Sequence, residues 1–400
     1  MMDFRIGKKP PVRMHPVSRP VPARRQLIEA REINLLHPFA AKSRTEDFLD
    51  RRVYFEALDP HRTRFARDRD RILHSRYFML LAGKTQVFPV LDEIKMRTKQ
   101  GTEFSWKFTP VTTTRLFHSL RVAQLAKSIA RALRLNEDLV EAQALGHDLG
   151  HLPFGHAGER AIQKIQASYP DPDALVFRHE RNSLAVADRM ESMAGAPFDG
   201  LNLTYEVRDG IVRHCGERPG RVLVPRADKD EALELEAEDL MPATLEGCLL
   251  RVMDFAGYAP QDYHDMRQAG WAGPAPEGIS RVLGGSTRAM YGCLVKDIIA
   301  ETSRAFREGK KQIAMSREVY EALDGLIAFN NSVIQEYLID YEKHYLIPDI
   351  MFLFEQKTME VQEFIDHLAG LSDSQLKIEI EESRMAPEGV TFVGTEPKDG

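Results

Sequence analysis

The stretch ALGHDLGHLPFGHAGE, residues 144–159, concentrates side chains that can do chemistry where helix stability is low. Three histidines, an aspartate and a glutamate stand among four glycines and a proline. Glycine inside a helix costs about 1 kcal/mol relative to alanine, so Gly146 and Gly150 favour the close approach of another helix or a ligand. Imidazole and carboxylate groups are ligands for borderline and hard divalent metals. The stretch therefore predicts a metal or ligand site beside His147 and Asp148.

His147 and Asp148 are adjacent, so their side chains diverge by about 100° around a helix. They can still converge on an ion above the shoulder of the helix, and His118 on the preceding helical segment could supply a third ligand. A single histidine on an amphipathic helix is more often a hydrogen-bonded boundary residue than a ligand. The metal prediction gains strength from Asp254, which lies far downstream in another helical segment.

The segments that carry these residues have helical periodicity. From Arg115 to Leu133, apolar residues recur every three or four positions after capping threonines. The next predicted helix begins after Asn136, continues through the first histidines and ends at Pro153 and Gly155. Residues 245–258 and 320–364 also have helical patterns, and only short runs such as 85–91 suggest strand. We therefore predict an all-α fold.

Composition indicates a water-soluble globular protein. The chain is 43% hydrophobic and 28% charged, and no apolar run approaches the roughly 20 residues of a membrane span. The amino terminus lacks the apolar centre of a signal peptide, so we expect a cytoplasmic protein that does not interact with membranes. The three cysteines, Cys215, Cys248 and Cys293, are too few and too scattered for a disulfide framework or a thiolate zinc site. We expect them to be reduced and buried.

Charge and periodicity divide the chain into regions. Residues 1–25 form a basic, proline-rich arm with a net charge of +6, against −12 for the remainder. A flexible arm, an oligomer contact and a nucleic-acid tether all fit this composition, whereas a generally basic nucleic-acid-binding body is excluded. We predict a core over residues 26–275 with a charged surface excursion at 216–239. A C-terminal helical region over 276–383 and a flexible tail over 384–400 follow.

Five separated blocks resemble the HD-superfamily deoxynucleoside triphosphate triphosphohydrolases, the dGTPase-like proteins. The blocks are RTRFARDRDRILHS with GKTQVF, RLFHSLRVAQLAKSIARAL, ALGHDLGHLPFGHAGE, GLNLTYEVRDGIVRH and VMDFAGYAPQDYHDM. They occur in the family's order and span roughly residues 30–275. The resemblance implies an HD-domain helical core with additional C-terminal helices, a dNTP substrate and assembly into a homo-oligomer.

The resemblance also implies roles for individual residues. His156 and Glu159 match the catalytic pair, in which histidine transfers a proton and glutamate orients it. The matched metal ligands are His118, His147, Asp148 and Asp254, and this set accepts manganese, magnesium, iron, nickel or zinc. The matched substrate-binding residues are Arg115, His151 and His179 for the phosphates and Gln86, Tyr258 and Asp262 around the deoxyribose. An exposed loop histidine and an aromatic at a helix interface remain the alternatives for His151 and Tyr258.

The chain departs from the family at Met79 and Leu80, where relatives usually carry two arginines. If the two arginines contact phosphate or an effector nucleotide in relatives, their loss changes substrate range or activation. If they support subunit contacts, their loss changes only assembly. The resemblance implies hydrolysis of a dGTP-like dNTP at the α-phosphorus, giving a deoxynucleoside and inorganic triphosphate. One alternative is another HD phosphohydrolase, acting on a nucleoside monophosphate or a phosphodiester. A second is a nucleotide sensor or nucleic-acid-binding protein with a residual HD site, in which the arm binds single-stranded nucleic acid weakly.

Overall fold

The computed structural model describes residues 24–44, 52–86, 113–172, 174–215, 220–227, 241–337, 339 and 342–385, and the backbone of 94–97 and 103–106. These residues confirm the all-α prediction, because their regular structure is almost entirely helical. The helices are α1 (Arg24–Leu35), α2 (Arg64–Leu73), α3 (Arg76–Leu80), α4 (Arg115–Leu133), α5 (Glu137–Gly146), α6 (His156–Ser168), α7 (His179–Ala185), α8 (Tyr205–Val212), α9 (Leu245–Gln268), α10 (Glu277–Leu283), α11 (Thr287–Arg307), α12 (Arg317–Tyr337), α13 (Ile347–Gln356), α14 (Val361–Ala369) and α15 (Asp373–Met385).

Two short antiparallel strand pairs accompany the helices. Strand β1 (Ile94–Arg97) pairs with β2 (Glu103–Trp106), and β3 (Val222–Leu223) pairs with β4 (Ile313–Ala314). The second pair joins part of the predicted charged excursion to the C-terminal helical region, and Leu223 is buried there. In the stretch suggested as strand, Thr85 forms a single bridge to Thr114, and residues 87–91 lie outside the described part of the chain.

Helices α4, α5 and α9 form the centre of the core. The apolar residues that recur along α4 face inward, and Ala126 and Ala130 among them are fully buried. On α9, a Cβ atom added to Gly257 would lie 2.8 Å from a methyl carbon of Val122. This close approach of α9 to α4 leaves room for little more than hydrogen at position 257, and it brings the first turn of α4 beside the middle of α9.

The ends of α4 and α5 follow from local chemistry. The side chains of Thr114 and Asn136 accept hydrogen bonds from backbone N–H groups in the first turns, as N-cap residues do. However, α5 ends at Gly146 rather than continuing to Pro153 as predicted. The chain instead forms tight turns. The N–H of Leu149 donates a hydrogen bond to the carbonyl oxygen of Gly146, and the N–H of His151 donates one to the carbonyl oxygen of Asp148. His147 therefore stands at the end of the helix.

The C-terminal helices share the main hydrophobic core. Leu294 and Ile298 of α11 and Leu326 of α12 belong to the same buried cluster as Val122 of α4. Helices α11 and α12 pack on α9, and α13 packs on α6. The structure therefore agrees with an HD-domain core extended by C-terminal helices.

Buried polar contacts tie α14 and α15 to the loop after α5. The Nζ atom of Lys84 donates to the carbonyl oxygens of His151 at 2.6 Å and Ala369 at 2.8 Å. The carboxylate of Asp373 accepts from the N–H of Phe154 at 2.8 Å and from the N–H and hydroxyl of Thr85 at 3.0 and 2.8 Å. These contacts fix the loop from two directions.

Several predicted regions lie wholly or partly outside the described residues. Of the basic arm, only Arg24 and Arg25 are described, and they begin α1. Of the tail, only Arg384 and Met385 are described, as the end of α15. Within the excursion, residues 216–219 and 228–239 are not described. No helix of the described residues has both the length and the apolar character to cross a membrane.

We predict that Gly150→Ala destabilises the protein by about 1–3 kcal/mol or more. A Cβ atom at this position would lie 2.0 Å from the backbone nitrogen of Ser183 and 2.7 Å from the carbonyl oxygen of His179, so α7 would have to move. Chemical denaturation measures the effect. The matched control is Gly292→Ala inside α11, where a Cβ meets nothing within 4 Å and should stabilise by about 0.5–1 kcal/mol. Equal effects of the two variants would contradict this packing.

Candidate metal centre and active-site cleft

Four side chains predicted as metal ligands meet at the junction of α4, α5 and α9. His118 lies in the first turn of α4, His147 at the end of α5, Asp148 directly after it, and Asp254 in α9. The Nε2 atom of His118 is 2.9 Å from Asp254 Oδ1 and 4.0 Å from Asp148 Oδ2. The Nε2 atom of His147 is 3.4 Å from Asp148 Oδ1 and 3.5 Å from Asp254 Oδ1. We call these residues the four-residue cluster.

The four-residue cluster fits a divalent metal ion. His147 donates its Nδ1 proton to the carbonyl oxygen of Ala144 at 2.7 Å, which turns Nε2 toward the two carboxylates. This buried Nε2 atom has no hydrogen-bond partner among the described residues. Metal-bound histidines commonly have such a backbone contact on the other ring nitrogen. Two imidazoles and two carboxylates form a ligand set for a borderline or hard cation.

The electrostatics of the cluster also favour a cation. Burial acts to raise the pKa of Asp148, but His147 and Arg115 outweigh it and hold that pKa well below its usual range. Burial is likewise outweighed at Asp254, where His118 and His147 lower the pKa of the carboxyl. Despite burial, the same carboxylates raise the pKa of His147. Both aspartates therefore carry negative charge at neutral pH in a buried site.

Arg115 is buried beside the cluster. Its Nη1 atom donates to Asp148 Oδ2 at 3.2 Å, and Nη2 donates to the carbonyl oxygen of Gln86 at 3.0 Å. A Cβ atom at Gly155 would lie 2.8 Å from Nη2, and Gly155 has a φ of +54°. Gly155 therefore leaves room for the guanidinium of Arg115. It also supplies the positive-φ backbone conformation at the end of the loop, which glycine adopts without strain.

His151, His156, Glu159 and His179 lie together next to the cluster, and we call the space that they border the cleft. The ring of His151 stacks on that of His179 with a centroid distance of 3.9 Å, and its Nε2 atom is 3.2 Å from Asp148 Oδ1. Burial, together with the positive charges of Arg115 and His179, lowers the pKa of His151 well below its usual value. His151 is therefore a buried neutral residue, not an exposed loop histidine.

Glu159 contacts a different histidine from the one expected. Its Oε2 atom accepts from Nδ1 of His179 at 3.0 Å, whereas His156 is an exposed member of the same group of potential ligands. Burial opposes charge on His179, but Cys215 and Glu159 raise its pKa well above the usual value. Desolvation in the cleft and the charges of Arg115 and His179 lower the pKa of His156.

The predicted sugar-binding residues Tyr258 and Asp262 lie on the same face of α9 as Asp254, because they follow at intervals of four. The ring of Tyr258 is half-buried and 5.6 Å from that of Phe255. Asp262 is buried, and its Oδ1 atom has no hydrogen-bond partner within the described part of the chain. Burial and the nearby Asp265 raise the pKa of Asp262 well above its usual range. The side-chain oxygen of Gln86 is another buried acceptor without a described partner.

Sequence reasoning assigned no functional role to His214 or Cys215, which lie beside the cleft. His214 donates its Nδ1 proton to the carbonyl oxygen of Ile211 at 2.6 Å, and its ring centroid is 4.8 Å from that of His147. Burial and His147 lower the pKa of His214 to about 3. The expectation of buried cysteines holds for Cys248 but not for Cys215 and Cys293, which are half-buried. His214 ends the GLNLTYEVRDGIVRH block, which is the sequence signal that could have drawn attention to it.

The two positions that depart from the family lie on α3. Met79 is 61% exposed, and Leu80 is half-buried against the main core. Met79 therefore lies at the surface, and Leu80 contributes to the packing of α3.

Comparisons with known proteins agree with this arrangement. The HD domain family model matches residues 115–255, the range from Arg115 to the residue after Asp254. A deoxyguanosinetriphosphate triphosphohydrolase-like protein of Desulfatibacillum aliphaticivorans is 34% identical over 90% of this chain and 88% of its own length. Proteins of the same description from Caldanaerobacter subterraneus and Ralstonia pickettii are 37% and 36% identical, over 76% and 74% of this chain and 74% and 75% of theirs.

Identity at this level covers a much larger share of the chain than the HD domain model does. The chain therefore belongs to the deoxyguanosinetriphosphate triphosphohydrolase-like family of HD-domain phosphohydrolases.

Proposed function

We propose that this chain is a metal-dependent dNTP triphosphohydrolase that attacks the α-phosphorus of a dGTP-like substrate. The observation that carries the proposal is the alignment of Asp254, Tyr258 and Asp262 along one face of α9. One end of this row belongs to the four-residue cluster, and the other end offers a buried acceptor oxygen without a described partner. A substrate with an α-phosphate at one end and a sugar hydroxyl at the other matches that order of groups.

In the proposed reaction, water adds to the α-phosphorus and the bond from that phosphorus to the 5′ oxygen breaks. The 5′ oxygen receives a proton and leaves as the deoxynucleoside hydroxyl, and the three phosphates leave together as inorganic triphosphate. A divalent ion held by His118, His147, Asp148 and Asp254 would polarise a phosphate oxygen and lower the pKa of water.

The cleft residues have distinct roles in this proposal. Arg115 is fixed by Asp148 and by the backbone of Gln86, so its positive charge is preorganised to neutralise the phosphates. His156 is exposed in the cleft and has a lowered pKa, so it is neutral at pH 7 and can accept a proton from water and pass it to the 5′ oxygen. His151, which is also neutral, contributes a hydrogen bond beside the phosphates.

Residues of α9 and of the segment before α4 would select deoxyribose over ribose. The unpaired oxygens of Asp262 and Gln86 are acceptors for the 3′-hydroxyl, because a buried acceptor gains most from a donor supplied by the ligand. The ring of Tyr258 would pack against C2′ and leave no room for a ribose hydroxyl. A wrong sugar would therefore be rejected because one polar group is left unpaired or crowded, and not because the sugar buries less surface.

Phosphorus NMR of the purified chain with manganese and each of the four dNTPs tests the proposed function. We expect inorganic triphosphate as the phosphorus product, because cleavage on the nucleoside side of the α-phosphorus leaves the three phosphates joined. Pyrophosphate, orthophosphate or an unchanged substrate with metal bound would contradict the proposal. Hydrolysis of a nucleoside monophosphate or a phosphodiester in place of dNTPs would favour another HD phosphohydrolase.

We predict that His147→Ala removes bound metal and turnover together. His147 contributes a buried Nε2 atom that has no other described partner, and losing even an outer partner of a metal ligand typically costs roughly 10- to 100-fold in affinity or activity. Metal content by mass spectrometry and initial rates measure the two effects. The control His61→Ala removes an exposed histidine and should change neither. Full activity of a metal-free variant would remove the four-residue cluster from the mechanism.

We predict that His156→Ala retains metal while turnover falls roughly 100- to 10,000-fold, the contribution typical of a general acid–base residue. His156 lies in the cleft but outside the four-residue cluster, so the fold and the metal content should stay unchanged. The matched control is Lys164→Ala, which replaces an exposed residue of the same helix. Turnover of His156→Ala equal to that of the control would show that proton transfer uses another group.

A further inference from the structure

Two buried polar side chains join the loop after α5 to the C-terminal helices, and neither belongs to the four-residue cluster. Lys84 lies before α4 and is fully buried, and Asp373 begins α15 and is 6% exposed. We call these two residues the clamp. We propose that the clamp positions Arg115 and His151 to bind the phosphates of the substrate, so that α14 and α15 support turnover. The proposal rests on the proposed function, because it concerns residues assigned to that reaction.

Lys84 contacts both of the residues that it would position. Its Nζ atom donates to the carbonyl oxygen of His151 at 2.6 Å, and its own carbonyl oxygen accepts from the backbone N–H of Arg115 at 2.9 Å. A third contact, from Nζ to the carbonyl oxygen of Ala369 at 2.8 Å, joins this pair to the last residue of α14. A displacement of Lys84 would therefore move Arg115 and His151 together.

Lysine is a costly residue at this position unless its hydrogen bonds matter. Burying a charged or polar group is unfavourable unless the group is hydrogen-bonded, whereas an apolar side chain would fill the same space without that cost. Burial lowers the pKa of Lys84 to about 7. A neutral amine still has two N–H donors, which equals the number of carbonyl oxygens that Lys84 contacts. The two hydrogen bonds therefore remain available on both sides of neutral pH.

Asp373 holds the far end of the same loop. Its Oδ1 atom accepts from the N–H of Phe154 at 2.8 Å, and its Oδ2 atom accepts from the N–H and the hydroxyl of Thr85 at 3.0 and 2.8 Å. Phe154 is followed by Gly155, which has a φ of +54°, and then by His156, which begins α6. Both carboxylate oxygens are therefore used to fix the turn from which α6 begins.

Close packing places the same helices directly against the chain before Lys84. A Cβ atom added to Gly83 would lie 2.7 Å from the Cβ atom of Ser372, in the turn between α14 and α15. The two segments would have to separate to admit it. Gly83 is therefore a position at which the clamp can be displaced without changing any of its hydrogen-bonding groups.

Turnover of dNTP and binding of inorganic triphosphate, both measured with manganese on the full-length chain, test the proposal. Lys84→Met removes the side-chain donors and leaves an unbranched side chain in the same space. We expect turnover to fall roughly 10- to 100-fold, because a misplacement of about 1 Å can cost about 100-fold. Affinity for inorganic triphosphate should fall severalfold, while manganese content stays unchanged. The control Lys296→Met replaces an exposed lysine of α11 and should change none of the three quantities.

Two further variants displace the clamp by other means. Asp373→Asn replaces an acceptor oxygen with an amide group that would face a backbone N–H, and its control is Glu382→Gln at an exposed position of α15. Gly83→Ala pushes the turn before α15 away from the loop, and its control is Gly292→Ala, where a Cβ meets nothing within 4 Å. Both variants should lower turnover and triphosphate affinity as Lys84→Met does, with unchanged circular dichroism spectra.

Other outcomes overturn the proposal in defined ways. Unchanged turnover and triphosphate affinity in folded Lys84→Met, with a lower midpoint of chemical denaturation, would limit the clamp to stability. Loss of manganese together with turnover would mean that the clamp acts on the four-residue cluster instead. If Lys84→Met does not fold, Gly83→Ala decides between these outcomes. An original chain that binds triphosphate but hydrolyses no dNTP would contradict the proposed function alone, because the affinities of the variants still test the clamp.

Discussion

The burial of two ionised carboxylates at one helix junction is the constraint on which this structure depends. Asp148 and Asp254 face His118 and His147, and Arg115 contacts only one of them directly. Buried negative charge is stable only where it is paired or coordinates a metal. The close approach of α4 and α9 at Gly257 and the backbone contact that turns His147 inward both bring the donor atoms together. The close packing of α4 on α9 and the orientation of His147 therefore both serve to place groups that balance the charge of the two carboxylates.

The same constraint gives the C-terminal helices a role beside the HD core. The loop that carries Asp148, His151 and Gly155 has little regular structure of its own, so its shape must come from outside contacts. Lys84 and Asp373 provide them, holding the backbone at His151 and Phe154. Burial lowers the pKa of Lys84 to about 7, and its amine donates hydrogen bonds to two carbonyl oxygens. We infer that α14 and α15 stabilise the geometry of the cleft.

The sequence predicted the parts of the molecule that local chemistry determines. The caps at Thr114 and Asn136 and the periodicity of α4 were sufficient to place the helices. The resemblance predicted the four metal ligands, and their side chains lie together in the structure. The early end of α5 was missed because the turns after Gly146 depend on contact with Ser183 and the rest of α7. Asp373 and Thr85 are 288 residues apart in the sequence, so no local sequence pattern predicts their contact. The contact between His179 and Cys215 was missed because the spacing of cysteines along the sequence takes no account of histidines in other elements.

We infer that one divalent ion balances the charge of the two buried aspartates. Anomalous diffraction from crystals grown with manganese, recorded at the manganese edge, tests it most directly. We expect one strong anomalous peak within bonding distance of His118, His147, Asp148 and Asp254. A manganese peak elsewhere, with an empty space between these four side chains, would contradict it.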